Sequence, residues 1–129
     1  MIVKIKKLHA TRQALMSLAN QPVKAKTAYV ISKDLGLIQS ALKNYDTAID
    51  GLIKQYGVKP ENGSNPYIDL SLLPPETVKD IQSQIDELLE VEEDVDFRMI
   101  PGNEISNLDI TPGGIEALGF LITIPEDWN

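Results

Sequence analysis

The sequence predicts a single α+β domain over residues 1–129 that is mainly helical. Its 129 residues are 43% hydrophobic, which is enough for one domain with its own core. Apolar residues recur every three or four positions over long stretches, whereas short segments near both ends alternate apolar and charged residues. We therefore expect a long antiparallel helical hairpin (about residues 22–56 with 75–90), short N-terminal and C-terminal helices, and a two-stranded element pairing 2–6 with 94–100.

The N-terminal segment predicts a strand followed by a helix. In residues 1–6, Val3 and Ile5 face one way and the lysines face the other, as in a half-buried strand. From Leu8 onward the apolar spacing changes to three and four, which predicts a helix over residues 7–20. This helix should end before Pro22, because the residue before a proline avoids helical geometry.

The strongest pattern in the sequence predicts a helix over residues 23–56. Its apolar positions advance in strict steps of three and four: Ala28, Ile31, Leu35, Ile38, Leu42, Tyr45, Ile49, Leu52 and Tyr56. Such a helix would be roughly 50 Å long at 1.5 Å per residue. Because a rod of this length is hard to cover within one small chain, we expect a homo-oligomer. The expected interface residues are Ile31, Leu35, Ile38, Leu42, Tyr45, Ile49 and Leu52.

A turn-rich segment and a second amphipathic stretch complete the predicted hairpin. The segment "GVKPENGSNPY" is dense in residues that favour turns and should end the long helix. Pro74 and Pro75 then mark a helix entry, and Ile81, Ile85 and Leu88 recur at helical spacing.

Opposite charges predict how the two strands pair. The segment 94–100 alternates charged with apolar residues, which is typical of a half-buried strand. Its charged face carries Asp94 and Asp96, whereas the first strand carries Lys4 and Lys6. Opposite charges facing across two strands stabilise the pair by roughly 0.2–1 kcal/mol each, so we expect these strands to be partners.

The stretch "TPGGIEALGFLI" predicts a short C-terminal helix with Thr111 as its N-cap and Pro112 at its first position. Free N–H groups at a helix start attract anions, so Thr111, Gly113 and Gly114 are candidate anion-binding residues. A plain capped helix start is the favoured alternative. The final "TIPEDWN" is expected to be a tail whose Trp128 needs a surface to pack on.

Charge is strongly segregated along the chain. Residues 1–33 hold seven basic residues and no acid, whereas residues 61–129 hold sixteen acids and two basic residues, and the net charge is −7. We expect the two ends to attract each other. The acidic run in "LLEVEEDVDFRMI" has three interpretations, namely a metal site, a mimic of nucleic-acid phosphates, or a solvated helix end leading into a salt-bridged strand. The last is favoured, because no glycine turns the chain to converge the carboxylates.

Composition argues against several classes of function. The chain has no cysteine, which excludes disulfides and thiolate metal sites, and its single histidine, His9, lacks the partners that nucleophilic catalysis uses. We expect no enzyme activity, no cofactor and no bound metal. A pI near 4.6 argues against direct nucleic-acid binding. Without a secretory leader or 18 consecutive apolar residues, the chain should be a soluble, unexported protein with no membrane partner.

Several segments together resemble a family. A short lysine-bearing strand is followed by "LHATRQALMSLANQPVKAKTAYVISKDLGLI", "LIKQYG", a polar tip, "IDELLEVEEDVDF" and "LDITPGGIEALGFLI". In order and spacing these resemble a widespread group of small, functionally uncharacterised proteins of tailed phages and prophages. The resemblance covers nearly the whole chain and implies a phage origin, with a location in the host cytoplasm or the virion. It implies no catalytic or binding residue.

Two functions fit these expectations. The leading one is a non-enzymatic phage accessory or assembly protein that is associated with the virion and acts through oligomerisation of the helical hairpin. Its partners would be further copies and other phage structural proteins. The alternative is a phage inhibitor of host defence that binds a host defence protein as an acidic decoy of nucleic acid, or that sequesters a nucleotide signal at the "TPGG" helix start.

Overall fold

The computed structural model describes residues 1–123, which form a mainly helical α+β structure. Its elements in chain order are β1 (Ile2–Lys4), α1 (Ile5–Ala19), α2 (Ala25–Tyr56), α3 (Pro75–Leu89), β2 (Glu92–Asp94), β3 (Ile100–Pro101), α4 (Gly102–Ile105), α5 (Pro112–Leu118) and β4 (Ile122–Thr123). A single 3-10 turn, Leu70–Leu72, lies between α2 and α3. The predicted fold class is therefore confirmed at the level of helices with small β elements. The expected packing of Trp128 lies outside the described residues.

The core lies where α1 packs against the first half of α2 and against α5. Helix α1 directs Leu8, Leu15 and Leu18 inward at helical spacing, and all three are buried. Burying each leucine favours folding by roughly 1.5–3 kcal/mol. The buried cluster comprises Val3, Ile5, Leu8, Leu15, Leu18, Ile31, Ile38, Leu42, Val95, Ile100, Ile105, Leu118 and Leu121. Both ends of the described chain and its middle therefore share one core.

Strand β1 pairs with β2 in the antiparallel direction, with Ile2 opposite Asp94 and Lys4 opposite Glu92. The predicted partnership between these two regions is confirmed, but the ladder covers residues 92–94 instead of 94–100. The N–H of Val95 still donates to the carbonyl of Met1, and four residues after Asp94 the backbone N–H of Arg98 donates to Asp34 of α2. The first strand is also shorter than expected, because α1 already begins at Ile5.

The charge pairing between these regions uses different acids from those predicted. The ammonium groups of Lys4 and Lys6 both donate to the carboxylate of Glu90, at 2.6 and 2.7 Å, and Asp94 accepts from the amino group of Met1 at 2.8 Å. The two lysine hydrogen bonds lower the pKa of Glu90 to about 2. The side chains of Lys4, Lys6 and Glu90 are about half exposed, so dissolved salt weakens the two lysine–glutamate ion pairs.

A second pair of short strands was not predicted. Strand β3 runs parallel to β4, with Ile100 opposite Ile122, and the N–H of Ile100 donates to the carbonyl of Leu121. Each strand has two residues, which is too short for an alternating pattern to show in the sequence. The pair brings the C-terminal part of the described chain into the core.

Helix α3 lies beside the second half of α2 and also contacts α1. The connecting segment is closed by an isolated bridge in which Val58 and Tyr67 exchange backbone hydrogen bonds of 2.8 and 3.2 Å. Gly57 ends α2 where a side chain would collide with the carbonyl oxygen of Ile53, so glycine is required there. At the other end of α3, the carbonyl of Val91 accepts from the N–H of Ile5. This contact ties the end of α3 to the start of α1.

We expect Glu90→Gln to remove a stabilising contribution that depends on pH. Because folding lowers the pKa of Glu90 from 4.5 to about 2, this contribution is complete above about pH 4.5 and is lost as the pH falls towards 2. The difference in melting temperature between wild type and variant, followed by circular dichroism, should therefore shrink over this range. Glu87→Gln, on the same helix but without an ion pair among the described residues, is the control. Parallel pH profiles for wild type and Glu90→Gln would contradict the assignment.

Candidate functional site

The predicted interface row on α2 lies largely inside the chain's own core. Ile31, Ile38, Leu42 and Leu52 are buried by other parts of the same chain, which corrects their assignment to a surface between subunits. The remaining members, Leu35, Tyr45 and Ile49, are half-buried. The correction has a simple cause, since α1 packs along the first half of α2 and α3 lies along the second half. The periodic pattern correctly marks a buried face, but the neighbour belongs to the same chain.

The aromatic ring of Tyr45 marks where α1 crosses α2. Its ring meets His9 edge to face, with ring centroids 4.8 Å apart. Burial, together with the neighbouring charge of Asp46, raises the pKa of the Tyr45 hydroxyl. His9 is half-buried, and its Nε2 has no hydrogen-bond partner within residues 1–123. This contact is packing between two helices.

Asp34 is the buried polar residue that the sequence analysis missed. Its side chain is fully buried, one oxygen accepts the Arg98 N–H at 2.8 Å, and the other has no hydrogen-bond partner among the described residues. Burial raises the pKa of Asp34, and the hydrogen bond and charge of Arg98 oppose that shift. The sequence held a signal, because Asp34 lies three residues after Ile31 and four before Ile38, on the face that is buried.

Three polar side chains of the helical region hold the irregular chain that follows β2. Asp34 binds the backbone of Arg98, and the Thr27 hydroxyl donates to Glu104 at 2.8 Å. Gln21, between α1 and α2, both donates to the carbonyl and accepts from the N–H of Asp109, each at 2.8 Å. Of these bonds, the one from Arg98 gives a partly buried backbone N–H its partner, and the others join exposed or side-chain groups. Their role is to fix the path of residues 95–111.

The predicted helix cap at Thr111 is present, whereas the geometry does not favour an anion site there. The Thr111 hydroxyl accepts the N–H of Gly114 at 3.0 Å, so that donor is already used. Thr111, Gly113 and Gly114 line one wall of a groove of about 370 Å³ facing α1. Asp109 also lines this groove, and its carboxylate would repel an anion. Helix α5 has only seven residues, so its dipole is weak.

The acidic run is divided between different roles. Glu90 binds two lysines, Glu92 to Asp94 form β2, and Asp96 follows in the irregular chain. Within residues 1–123 no three His, Asp or Glu side chains come together in a way that could hold a metal ion. In the same part of the chain, no helix has the length and apolar character needed to cross a membrane.

The segment between α2 and α3 exposes apolar side chains. Tyr67, Leu70 and Leu72 are 51%, 42% and 66% exposed, and we call these three residues the apolar tip. The tip is shaped locally, since the Asp69 carboxylate accepts from both the N–H and the hydroxyl of Ser71, at 3.0 and 2.6 Å. Exposed apolar side chains such as these are candidates for contact with other proteins.

A groove runs between the second half of α2 and the end of α3. Its volume is about 470 Å³, and its lining residues are Ala48, Gly51, Leu52, Gln55, Gln84, Glu87, Leu88 and Val91. We call it the α2/α3 groove. Its lining combines apolar side chains, two amide groups and one carboxylate.

The chain matches no protein-family model, no curated protein and no solved structure.

We expect Ile38→Ala to destabilise the single chain by about 2–5 kcal/mol, because it leaves a cavity in the core. The loss should be seen in urea unfolding and should not vary with protein concentration. Leu72→Ala, at an exposed position, is the matched control and should change the free energy of unfolding by less than about 0.5 kcal/mol in dilute protein. A loss for Ile38→Ala that grows with protein concentration would instead place this residue between subunits.

We expect Asp34→Asn to stabilise the protein increasingly as the pH rises. Folding raises the pKa of Asp34 from 3.8, so the stability linked to its protonated form is complete below about pH 3.8 and is lost as the pH rises through the higher folded value. Asparagine keeps an acceptor for Arg98 and carries no charge. The difference in melting temperature between variant and wild type should therefore grow as the pH rises above about 3.8. Asp50→Asn, at an exposed position on the same helix, is the matched control.

Proposed function

We propose that this protein is a non-enzymatic accessory or assembly component of a tailed phage, associated with the virion, that acts through protein–protein contact. Helices α2 and α3 lie next to each other, and the apolar tip in the segment that joins them is the observation that carries the proposal. The phage origin is supported by the sequence resemblance that spans nearly the whole chain. The protein is located in the host cytoplasm during synthesis and then in the virion.

Self-association takes place through the tip and not through the flank of α2. The tip offers one tyrosine and two leucine side chains, and removing such side chains from water lowers the free energy. Over residues 57–74 the charges are Lys59, Glu61 and Asp69, so this segment carries −1 of the chain's net −7. Like-charge repulsion between copies is therefore low where the apolar side chains meet. A two-fold axis through the tip allows the same patch to face itself.

The second candidate function is inhibition of host defence by an acidic decoy. The observation that favours it is the exposed row of acids on α3, β2 and the chain after them: Glu76, Asp80, Asp86, Glu87, Glu90, Glu92, Asp94 and Asp96. A row of carboxylates resembles the charge of a nucleic-acid backbone. Sequestration of a nucleotide signal at the "TPGG" helix start is less favoured, because Asp109 lines that groove.

We expect Leu70→Ser combined with Leu72→Ser to abolish self-association while the fold is kept. Sedimentation velocity should show an oligomer of the wild type at micromolar concentration and a monomer of the double variant. Val91→Ser, which removes another exposed apolar side chain far along the chain, is the control and should remain oligomeric. A wild type that stays monomeric would contradict the self-association.

Mass spectrometry of purified phage particles tests the function itself. The protein should be found in particles at a fixed ratio to the other structural proteins. Its absence from particles, together with its co-purification with a nucleic-acid-binding host protein, would contradict the assembly role and favour the decoy.

A further inference from the structure

The α2/α3 groove is lined by two helix faces with the same spacing. Helix α2 contributes positions 48, 51, 52 and 55, and the α3 region contributes 84, 87, 88 and 91. Each set follows the i, i+3, i+4, i+7 pattern of a single helix face. Two such faces that converge form the seat of a third helix, as in a three-helix bundle.

Helix α1 covers the first half of α2, and the groove begins where this cover stops. Along the first half of α2, α1 packs as the neighbouring helix, and His9 of α1 meets Tyr45. The start of α1 is fixed to the end of α3 by the hydrogen bond from Ile5 to Val91. Beyond this point the second half of α2 has α3 as its helical neighbour within the described residues. The position that α1 fills earlier is therefore open along the groove.

The floor of the groove suits close approach by an apolar helix. Leu52 is almost buried, Leu88 is half-buried, and Val91 is 44% exposed. Gly51 also lines the groove, and a β-carbon placed on it would meet no described atom within 4 Å beyond its own stretch of helix. A partner helix can thus bring its own side chains against the α2 backbone, as small residues at helix crossings allow.

The charge around the groove selects a basic partner. Glu87 lines the groove, and Asp80 and Asp86 are exposed on the same helix. None of the eight lining residues is basic. The chain as a whole carries −7, so a cationic segment is attracted from a distance and an acidic one is repelled.

We propose that the α2/α3 groove binds a basic amphipathic helix of a partner protein. The apolar face of that helix packs on Leu52, Leu88 and Val91, and its lysine or arginine side chains meet Glu87 along the rim. This is recognition of a helix in a groove, in which contacts recur every three or four residues. The inference rests on the proposed function, since it names the class of partner for a protein that acts by contact.

The test uses a fluorescein-labelled peptide of leucine and lysine with helical spacing, about 18 residues or about 27 Å long, and fluorescence anisotropy. A peptide with glutamate in place of lysine is the charge control. The decisive variant of the protein is Gly51→Leu, which fills the groove. Gly36→Leu is its matched control, because Gly36 is also an exposed, sterically open glycine of α2 but lies outside the groove. Both substitutions favour the helix equally, so both variants fold.

We expect the wild type and Gly36→Leu to bind the lysine peptide with the same affinity, and Gly51→Leu to bind it at least about tenfold more weakly. Glu87→Lys should also weaken binding, and the glutamate peptide should not bind. Equal binding to Gly36→Leu and Gly51→Leu would overturn the inference, as would equal binding of both peptides. A wild-type dimer that Gly51→Leu converts to monomer would also overturn it, because a second copy would then occupy the groove.

The peptide-binding experiment and the mass spectrometry of phage particles can fail independently of each other. Peptide binding that does not depend on Gly51, in a protein that is found in phage particles, removes the groove inference alone. Binding that depends on Gly51, in a protein that is absent from particles, removes the assembly role and leaves the groove as a docking site for a basic helix.

Discussion

The packing of α1 against the first half of α2 is the contact on which the rest of the structure depends. Leu8, Leu15 and Leu18 of the short helix meet the buried face of the long one, and no other part of the described chain covers that face as fully. Since β1 continues directly into α1, this contact also determines where β1 lies and hence where β2 can pair. Helix α3 is in turn fixed at its end by the same junction.

Local patterns predicted the helices well, because spacing and caps act over a few residues. The long periodic row gave α2, Pro75 begins α3, and the Thr111 cap is present at α5. The pattern could not reveal what covers the row, because an apolar face looks the same whether its neighbour is in the chain or in another copy. This is why Ile38 was expected at an interface and lies in the core.

Contacts between distant residues were predicted less well. Opposite charges correctly predicted that β1 pairs with the region after α3. Because a lysine side chain can reach several acids, the sequence did not predict that Lys4 and Lys6 bind Glu90. Asp34 was missed because aspartate side chains are rarely buried. Its hydrogen-bond partner is a backbone N–H, which no sequence pattern reveals. The α2/α3 groove could not be predicted either, since it depends on how the helices lie in space.

The junction of β1, α1 and the end of α3 also bears on how the chain folds. Lys4 and Glu90 are 86 positions apart, so bringing them together closes a long loop and costs chain entropy. The α1 and α2 contact, in contrast, joins neighbouring helices across a few residues. A helical pair formed early, with the N-terminal strand joining last, is the order that these separations favour. The same order makes the strand the first part to detach, which would release the end of α3 while the pair of helices persists.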